Sequence, residues 1–225
     1  MRIYKNFPEA LKEIKRDLTE MGVLIHTQTM QDKNIGNNPD FETLELQNYQ
    51  YTVTNMDTYH LLNPTQPWAQ KEFAERISRL RFNPGVAWKE RKDVWSELLE
   101  EDGMFSYTYP DRMAEQLDPI INELKIHPDS RQIFLSVWNP LIDIHRIGRR
   151  RVPCTLGYYL QKREGRLNIT YLQRSADYIT HFQNDIYLAV KFMEYIAQAA
   201  GYDLGMFTHW IGSLHIYRKD AKGVF

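Results

Sequence analysis

The sequence has 225 residues, of which 43% are hydrophobic and 13% aromatic, and its formal net charge at neutral pH is −1. This length and composition suit one folded domain with a well-filled core and exclude a disordered chain. The near-zero charge gives no general attraction to nucleic acid or to an anionic membrane, so stable binding to either is not expected.

The sequence contains one cysteine, Cys154. A single thiol cannot form an internal disulfide and cannot build a thiolate metal site on its own, so we expect a reducing compartment and no metal ion. Residues 1–6 lack the apolar core of a signal peptide, and no stretch approaches 18 apolar residues. We therefore expect a soluble, cytoplasmic protein.

Hydrophobic periodicity predicts one α+β domain over residues 1–225, with a mixed β-sheet and helices packed against it. No repeat or linker interrupts the chain. In chain order the predicted elements are a helix at 7–21, strands and long loops between about 24 and 62, a helix from Pro67 through Leu80 that ends at Asn83-Pro84-Gly85, a helix at about 87–100, a helix at 111–125, a buried strand at 133–138, strands at 155–161 and 167–173, the longest helix at about 185–200, and a strand at 207–217.

Cys154 follows the basic run Arg149-Arg150-Arg151 and precedes a predicted strand. A lone cysteine is more often a small buried hydrophobic residue than a functional one. Cationic neighbours alter this balance, because they lower the pKa of a thiol and increase the thiolate fraction. From these residues alone, a structural and a nucleophilic role both remain open.

The segment from Tyr171 to Asp177 places Arg174, Ser175 and Asp177 at the end of an apolar strand. A guanidinium and a neighbouring hydroxyl suit a phosphate group, which the guanidinium can bind bidentately. An ordinary strand end with a surface Arg–Asp pair would have the same residue pattern. The pattern by itself therefore favours a phosphate site without establishing one.

Four motifs occur in a characteristic order: His127-Pro128-Asp129-Ser130-Arg131 leading into Ser136-Val137-Trp138-Asn139-Pro140, then Val152-Pro153-Cys154, then Gln173-Arg174-Ser175-Ala176-Asp177, and finally Gly212-Ser213-Leu214-His215-Ile216-Tyr217. Together they resemble the catalytic half of the thymidylate synthase family. The resemblance is close from about residue 104 to 218 and loose before it. It implies a one-carbon transfer to C5 of a pyrimidine nucleotide, with 5,10-methylenetetrahydrofolate as the donor.

The resemblance assigns roles to individual residues. Cys154 would be the nucleophile that adds to C6 of the pyrimidine. Arg174 and Ser175 would hold the 5′-phosphate, and His215 and Tyr217 would hydrogen-bond the 3′-hydroxyl of the sugar.

Further roles concern the folate, proton transfer and the partner subunit. Asp177 would face the folate, with Trp95 as an aromatic on the same side. Tyr109 resembles the family's active-site tyrosine, and Glu72 is the candidate acid/base carboxylate that also borders the folate. The resemblance further implies a sheet-to-sheet homodimer in which Arg131 reaches the phosphate of the partner; the usual second arginine is here Gln132.

The position that recognises the base carries an acid. Counting eleven residues from Arg174 places the family's base-recognising Asn at Asp185, next to Asn184, so both are candidate contacts to the base. A carboxyl group can accept from N4 of cytosine and, when protonated, donate to N3. An ionised Asp facing O4 of uracil would instead place two hydrogen-bond acceptors opposite each other, at a cost of about 1–3 kcal/mol.

Within the family, the Asn-Asp pair and the Gly-Ser-Leu-His-hydrophobic-Tyr ending most resemble the phage dCMP 5-hydroxymethyltransferases, and so does Thr155, which replaces the usual His after the nucleophile. This implies a bacteriophage enzyme of DNA modification that works in the host cytoplasm. Thymidylate synthase, a dUMP or CMP hydroxymethylase, methylation of dCMP, and a silent nucleotide- or RNA-binding relative remain alternatives.

Overall fold

The computed structural model describes residues 2–30, 33–36, 38–144 and 151–221. Within these ranges the strands are β1 (Arg2–Tyr4), β2 (Val23–Ile25), β3 (Thr29–Met30), β4 (Lys33–Asn34), β5 (Thr43–Val53), β6 (Phe134–Ser136), β7 (Thr155–Arg163), β8 (Arg166–Asp177) and β9 (Asp203–Tyr217). The helices are α1 (Phe7–Met21), α2 (Trp68–Arg76), α3 (Lys92–Trp95), α4 (Tyr109–Met113), α5 (Leu117–Ile126), α6 (Pro140–Asp143) and α7 (Phe182–Ala200).

A mixed sheet forms the centre of the fold, in the strand order β1-β5-β9-β8-β7-β6, with β2 paired to β5. Strands β8 and β9 run parallel, whereas β5–β9, β7–β8 and β6–β7 are antiparallel. The predicted α+β class and mixed sheet are confirmed. Because β8 and β9 are parallel, their carboxyl ends, which carry the predicted phosphate and sugar residues, come together at one edge.

Helices α1, α5 and α7 cover one face of this sheet. Phe7 of α1 packs on Phe207 of β9 with ring centroids 5.8 Å apart, and Phe182 of α7 lies 6.3 Å from Tyr51 of β5. The predicted stripe of α7 is confirmed, since Ile186, Val190, Met193 and Ala197 are all buried. Burial of each large apolar side chain stabilises the fold by about 1.5–3 kcal/mol.

Three predicted helices are shorter or broken. Helix α2 ends at Arg76 instead of near Leu80, and Arg79 has a left-handed φ of 63° that a continuing helix cannot contain. The helix predicted at about 87–100 is α3 flanked by two 3-10 turns. The helix predicted at 111–125 is divided into α4 and α5, where Gln116 Nε2 donates to the carbonyl of Arg112 and to that of Ser136.

The predicted strands after residue 150 are confirmed and extend further than predicted. Glu164 and Gly165 both have positive φ, at 51° and 75°, which is the backbone of a tight turn that matches the twist of β7 and β8. Strand β6 is shorter than predicted and alternates, with Leu135 buried and Phe134 exposed, because it lies at the edge of the sheet.

Candidate active site

Cys154 lies immediately before β7, and Arg174 of β8 holds it in place. The backbone N–H of Arg174 donates to the carbonyl of Cys154 at 2.8 Å. Its guanidinium donates to the carbonyls of Pro153 at 2.8 Å and Val152 at 3.2 Å, and one terminal nitrogen lies 3.8 Å from the Cys154 sulfur. A partly exposed sulfur beside a guanidinium is the setting in which a cysteine acts as a nucleophile.

A chain of contacts leads from Cys154 to the predicted acid/base residues. Thr155, the next residue, shares hydrogen bonds with the hydroxyls of Tyr109 at 3.0 Å and Tyr171 at 2.9 Å. The Arg76 guanidinium lies 3.7 Å from the centroid of the Tyr109 ring, and its Nε donates to Glu72 Oε1 at 2.9 Å. The fold thus connects Glu72 and Tyr109 to the residue beside the thiol.

Asp185 occupies the first turn of α7 and is half-buried. Its Oδ2 accepts a hydrogen bond from Gln173 Nε2 at 2.7 Å. Burial raises the pKa of Asp185 to about 6, although the Gln173 hydrogen bond and the nearby charges of Arg76 and Arg151 act in the opposite direction. Near neutral pH this carboxyl group is therefore available in both its protonated and its ionised form.

The predicted phosphate and sugar residues meet at the carboxyl ends of β8 and β9. Ser175 is aligned with Ser213, and Asp177 with His215. The rings of His215 and Tyr217 lie 5.0 Å apart, and burial lowers the pKa of His215, so the ring is neutral near pH 7. Asp177 Oδ1 accepts two backbone N–H bonds from the turn that follows, at 3.0 and 3.1 Å, which fixes the carboxylate at this edge.

Trp95 forms part of an aromatic wall near the same edge. Its ring stacks on that of Trp68 with the centroids 6.1 Å apart. The Arg151 guanidinium carbon lies 4.4 Å from the centroid of the Trp95 ring and 4.9 Å from that of the Tyr107 ring. Within the described residues, Trp95 Nε1 and the Tyr107 hydroxyl are buried without a hydrogen-bond partner. A wall of aromatic rings with free donors suits a planar heteroaromatic ligand.

Comparisons with known proteins agree with this geometry. A family model described as thymidylate synthase matches residues 53–224. The chain belongs to the thymidylate synthase family. Members of this family are folate-dependent one-carbon transferases.

Individual relatives give the extent of the similarity. A protein of Methanocaldococcus jannaschii with a provisional thymidylate synthase name is 36% identical over 116 residues, which is 51% of this chain and 52% of that protein. A thymidylate synthase of Clostridium beijerinckii is 28% identical over 134 residues, or 58% of this chain and 49% of that protein. The chain therefore spans about half the length of the curated relatives it matches.

The fold is also that of a solved family member. Thermostable thymidylate synthase A from Bacillus subtilis superposes with a TM-score of 0.76, covering 95% of this chain and 80% of that one at 20% sequence identity. The predicted thymidylate synthase-like fold is confirmed.

Two predicted site residues make contacts other than those around the thiol. The Asn184 side chain is used within the fold: Oδ1 accepts from the backbone N–H of Thr65 at 2.7 Å, and Nδ2 donates to the Thr65 hydroxyl and to the carbonyl of Thr180, both at 3.4 Å. Arg131 is exposed next to the edge strand β6, where its carbonyl accepts from the Tyr159 hydroxyl at 3.0 Å. Arg149 and Arg150 lie outside the described residues.

Sequence reasoning missed the residues that support the site from behind. Arg76 was not given a role, and Arg151 was considered only as a cationic neighbour of Cys154 or a contact to the phosphate. The contacts of both residues with aromatic rings follow from tertiary packing rather than from a motif. His209 was also missed, although a signal was present: alternation along β9 places it on the buried face between Phe207 and Ile211.

Neither a membrane-spanning helix nor a metal cluster occurs in the described part of the chain. Among residues 2–30, 33–36, 38–144 and 151–221, no helix has both the length and the apolar character needed to cross a bilayer. Over the same ranges, His, Cys, Asp and Glu side chains do not gather in groups of three that could hold a metal ion.

Proposed function

We propose that this protein is a dCMP 5-hydroxymethyltransferase. The observation that carries the proposal is Asp185, a half-buried carboxyl group with a pKa raised to about 6, at the position where the family recognises the base. The amide of Asn184 is already hydrogen-bonded to Thr65 and Thr180, so we assign base recognition to Asp185 rather than to Asn184.

The protonated Asp185 complements cytosine in both of its polar positions. One carboxyl oxygen accepts a hydrogen bond from the N4 amino group, and the O–H of the other donates to N3. Uracil presents an acceptor at O4 and a donor at N3, so an ionised Asp185 would leave O4 facing a like acceptor. Such a mismatch in a buried site costs about 1–3 kcal/mol, which favours dCMP over dUMP.

Cys154 begins the reaction. Its thiolate adds to C6 of the pyrimidine, which places electron density on C5 and makes that carbon a nucleophile. After the one-carbon unit joins C5, loss of the C5 proton would expel tetrahydrofolate and leave an exocyclic methylene. Water then adds to this methylene, the Cys154–C6 bond breaks, and 5-hydroxymethyl-dCMP is released. Tyr109 and Glu72 are the proposed groups that move protons near C5 and the base.

The folate fits the aromatic wall. Trp95, whose Nε1 has no hydrogen-bond partner among the described residues, would contact the ring system, and Asp177 and Glu72 would border it. When bound, 5,10-methylenetetrahydrofolate supplies the one-carbon unit that C5 accepts.

The nucleotide would be held at the carboxyl ends of β8 and β9. Arg174 and Ser175 would bind the 5′-phosphate, and His215 and Tyr217 the 3′-hydroxyl. We further propose a homodimer formed through the sheet face opposite the helices, where Leu172 is only partly buried, with Arg131 completing the phosphate site of the partner.

Product analysis tests the proposal. The protein is incubated with 5,10-methylenetetrahydrofolate and dCMP, and the nucleotide is examined by mass spectrometry. We expect a product heavier than dCMP by one CH₂O unit, together with tetrahydrofolate. Turnover of dUMP alone would contradict the assignment of Asp185 to cytosine.

Thymidylate synthase is the second candidate, because the relatives that match this chain carry that name. A synthase would convert dUMP to dTMP and release dihydrofolate, whereas a hydroxymethyltransferase releases tetrahydrofolate. Spectroscopic measurement of dihydrofolate formation with each nucleotide separates the two activities directly.

A further inference from the structure

His209 of β9 is fully buried behind the base-recognition position, and both of its ring nitrogens are hydrogen-bonded. Nδ1 lies 3.1 Å from the Tyr51 hydroxyl, and Nε2 lies 2.9 Å from Gln173 Oε1. The ring is held flat between Tyr171, at a centroid distance of 4.5 Å, and Phe182, at 5.7 Å. Two buried side chains, His209 and Gln173, therefore connect Tyr51 to Asp185 without a gap.

The direction of these hydrogen bonds follows from the orientation of the Gln173 amide. Gln173 Nε2 donates to Asp185 Oδ2 at 2.7 Å, so Gln173 Oε1 faces His209 and can only accept. His209 Nε2 must then carry the ring proton, which leaves Nδ1 free to accept from the Tyr51 hydroxyl. Burial lowers the pKa of His209 to about 3, so the ring is neutral and has one donor and one acceptor, as this arrangement requires.

We propose that His209, supported by Tyr51, is a positioning residue that selects cytosine by fixing the amide of Gln173 and, through it, the carboxyl group of Asp185. This inference rests on the proposed function, because it explains how Asp185 presents one acceptor and one donor to the base. Neither His209 nor Tyr51 touches the nucleotide in this account.

The amide orientation decides which oxygen of Asp185 carries the proton. With Gln173 Nε2 donating to Oδ2, that oxygen behaves as a carbonyl and keeps a second lone pair for the N4 amino group. The proton then lies on Oδ1, where it can be donated to N3. A reversed amide would turn Gln173 Oε1 toward Asp185 and draw the proton to Oδ2, which would remove the donor that cytosine N3 needs.

Three substitutions test this role, with the ratio of kcat/KM for dCMP to kcat/KM for dUMP as the readout. His209→Phe keeps the stacked ring and removes both hydrogen bonds, so we expect the ratio to fall by about tenfold or more. Tyr51→Phe removes the donor to Nδ1 and should lower the ratio less. His209→Gln can donate and accept in the same places, and we expect it to restore the ratio to within about threefold of the native value.

Phe207→Leu is the matched control. Phe207 is buried on the same strand, with its ring 6.0 Å from His209 and 6.5 Å from Tyr51, but it has no polar atom. We expect this substitution to lower the Tm without changing the ratio. The Tm of every variant is measured alongside, so that a loss of folding is distinguished from a loss of discrimination.

The outcomes separate the two proposals. If the native protein uses dCMP and the ratio is unchanged in folded His209→Phe and Tyr51→Phe, the positioning role is overturned and the proposed function remains intact. If His209→Phe does not fold, Tyr51→Phe decides: an unchanged ratio overturns the role, and a lowered ratio supports it. A native protein that uses dUMP alone overturns both, before any variant is made.

Discussion

Replacing Asp185 by Asn is the sharpest perturbation of base recognition. The two side chains have nearly the same size and shape, so α7 can remain as it is. For the Asn amide to donate to O4 of uracil, the Gln173 amide must turn over so that its Oε1 accepts from Asn Nδ2, while His209 takes the other ring tautomer. An Asn amide can accept from N3–H of uracil and donate to O4, which is the reverse of what cytosine requires.

The expected magnitude follows from the number of mismatched hydrogen bonds. Each unpaired donor or acceptor in a buried site costs about 1–3 kcal/mol. The substitution creates one such cost for dCMP and removes one for dUMP, so the preference shifts by about 2–6 kcal/mol, or roughly 30-fold to 10⁴-fold. Because Asp185 is half-buried, we expect a shift near the lower end, about 10²-fold.

The assay is steady-state kinetics with dCMP and dUMP for the native protein and for Asp185→Asn. Asp203→Asn serves as the matched control, because Asp203 is an exposed carboxylate at the start of β9 and its loss removes the same charge. We expect the ratio of the two kcat/KM values to reverse in Asp185→Asn and to stay unchanged in Asp203→Asn. An unchanged ratio in a folded Asp185→Asn protein would refute the assignment.

Three further predictions follow from the site. Cys154→Ser should abolish turnover and prevent a covalent nucleotide adduct, as seen by intact-protein mass spectrometry, while dCMP still binds in calorimetry. Glu72→Gln should lower kcat by about 10²–10⁴-fold with little change in the Kd for dCMP, since it removes proton transfer and not base recognition; an unaltered kcat would exclude an acid/base role. Binding should also depend on pH: because burial raises the pKa of Asp185 to about 6, the donor to N3 is lost as the pH rises above 6. The Kd for dCMP relative to that for dUMP should increase between pH 6 and pH 8, and Asp185→Asn should remove this dependence, since the phosphate titrates equally in both ligands.

The sequence predicted which candidate residues come together because the motifs lie at strand ends. Arg174, Asp177 and His215 belong to two long strands with clear alternation, and the parallel pairing of β8 and β9 brings them together. Cys154 was predicted with them because its motif immediately precedes β7. Local pattern and motif order were enough for these residues, since their positions depend on strands and not on loops.

Other features depended on packing that no local pattern records. The helix near residue 80 ends where Arg79 takes a left-handed φ, and near residue 116 the Gln116 amide binds the carbonyl of Arg112. Asn184 illustrates the same point within the site. Its neighbour in sequence, Asp185, points in another direction on α7, and only tertiary contact with Thr65 shows that Asn184 is occupied within the fold.

The hydrogen-bonded side chains behind Asp185 could not be predicted from the sequence, for a different reason. Tyr51, Gln173 and His209 come from three strands that are distant in sequence, and each alone resembles an ordinary buried residue of a sheet. Their side chains come into contact because the strand register aligns Tyr51 with His209 and Gln173 with Ile211. Strand register cannot be deduced from one sequence when several strands have similar alternation.

The most direct measurement of the central claim is identification of the product with dCMP, CMP and dUMP offered in parallel to the native protein and 5,10-methylenetetrahydrofolate. We predict 5-hydroxymethyl-dCMP from dCMP, with tetrahydrofolate as the second product and no turnover in Cys154→Ser. Formation of dTMP from dUMP with release of dihydrofolate, and no product from dCMP, would contradict the account.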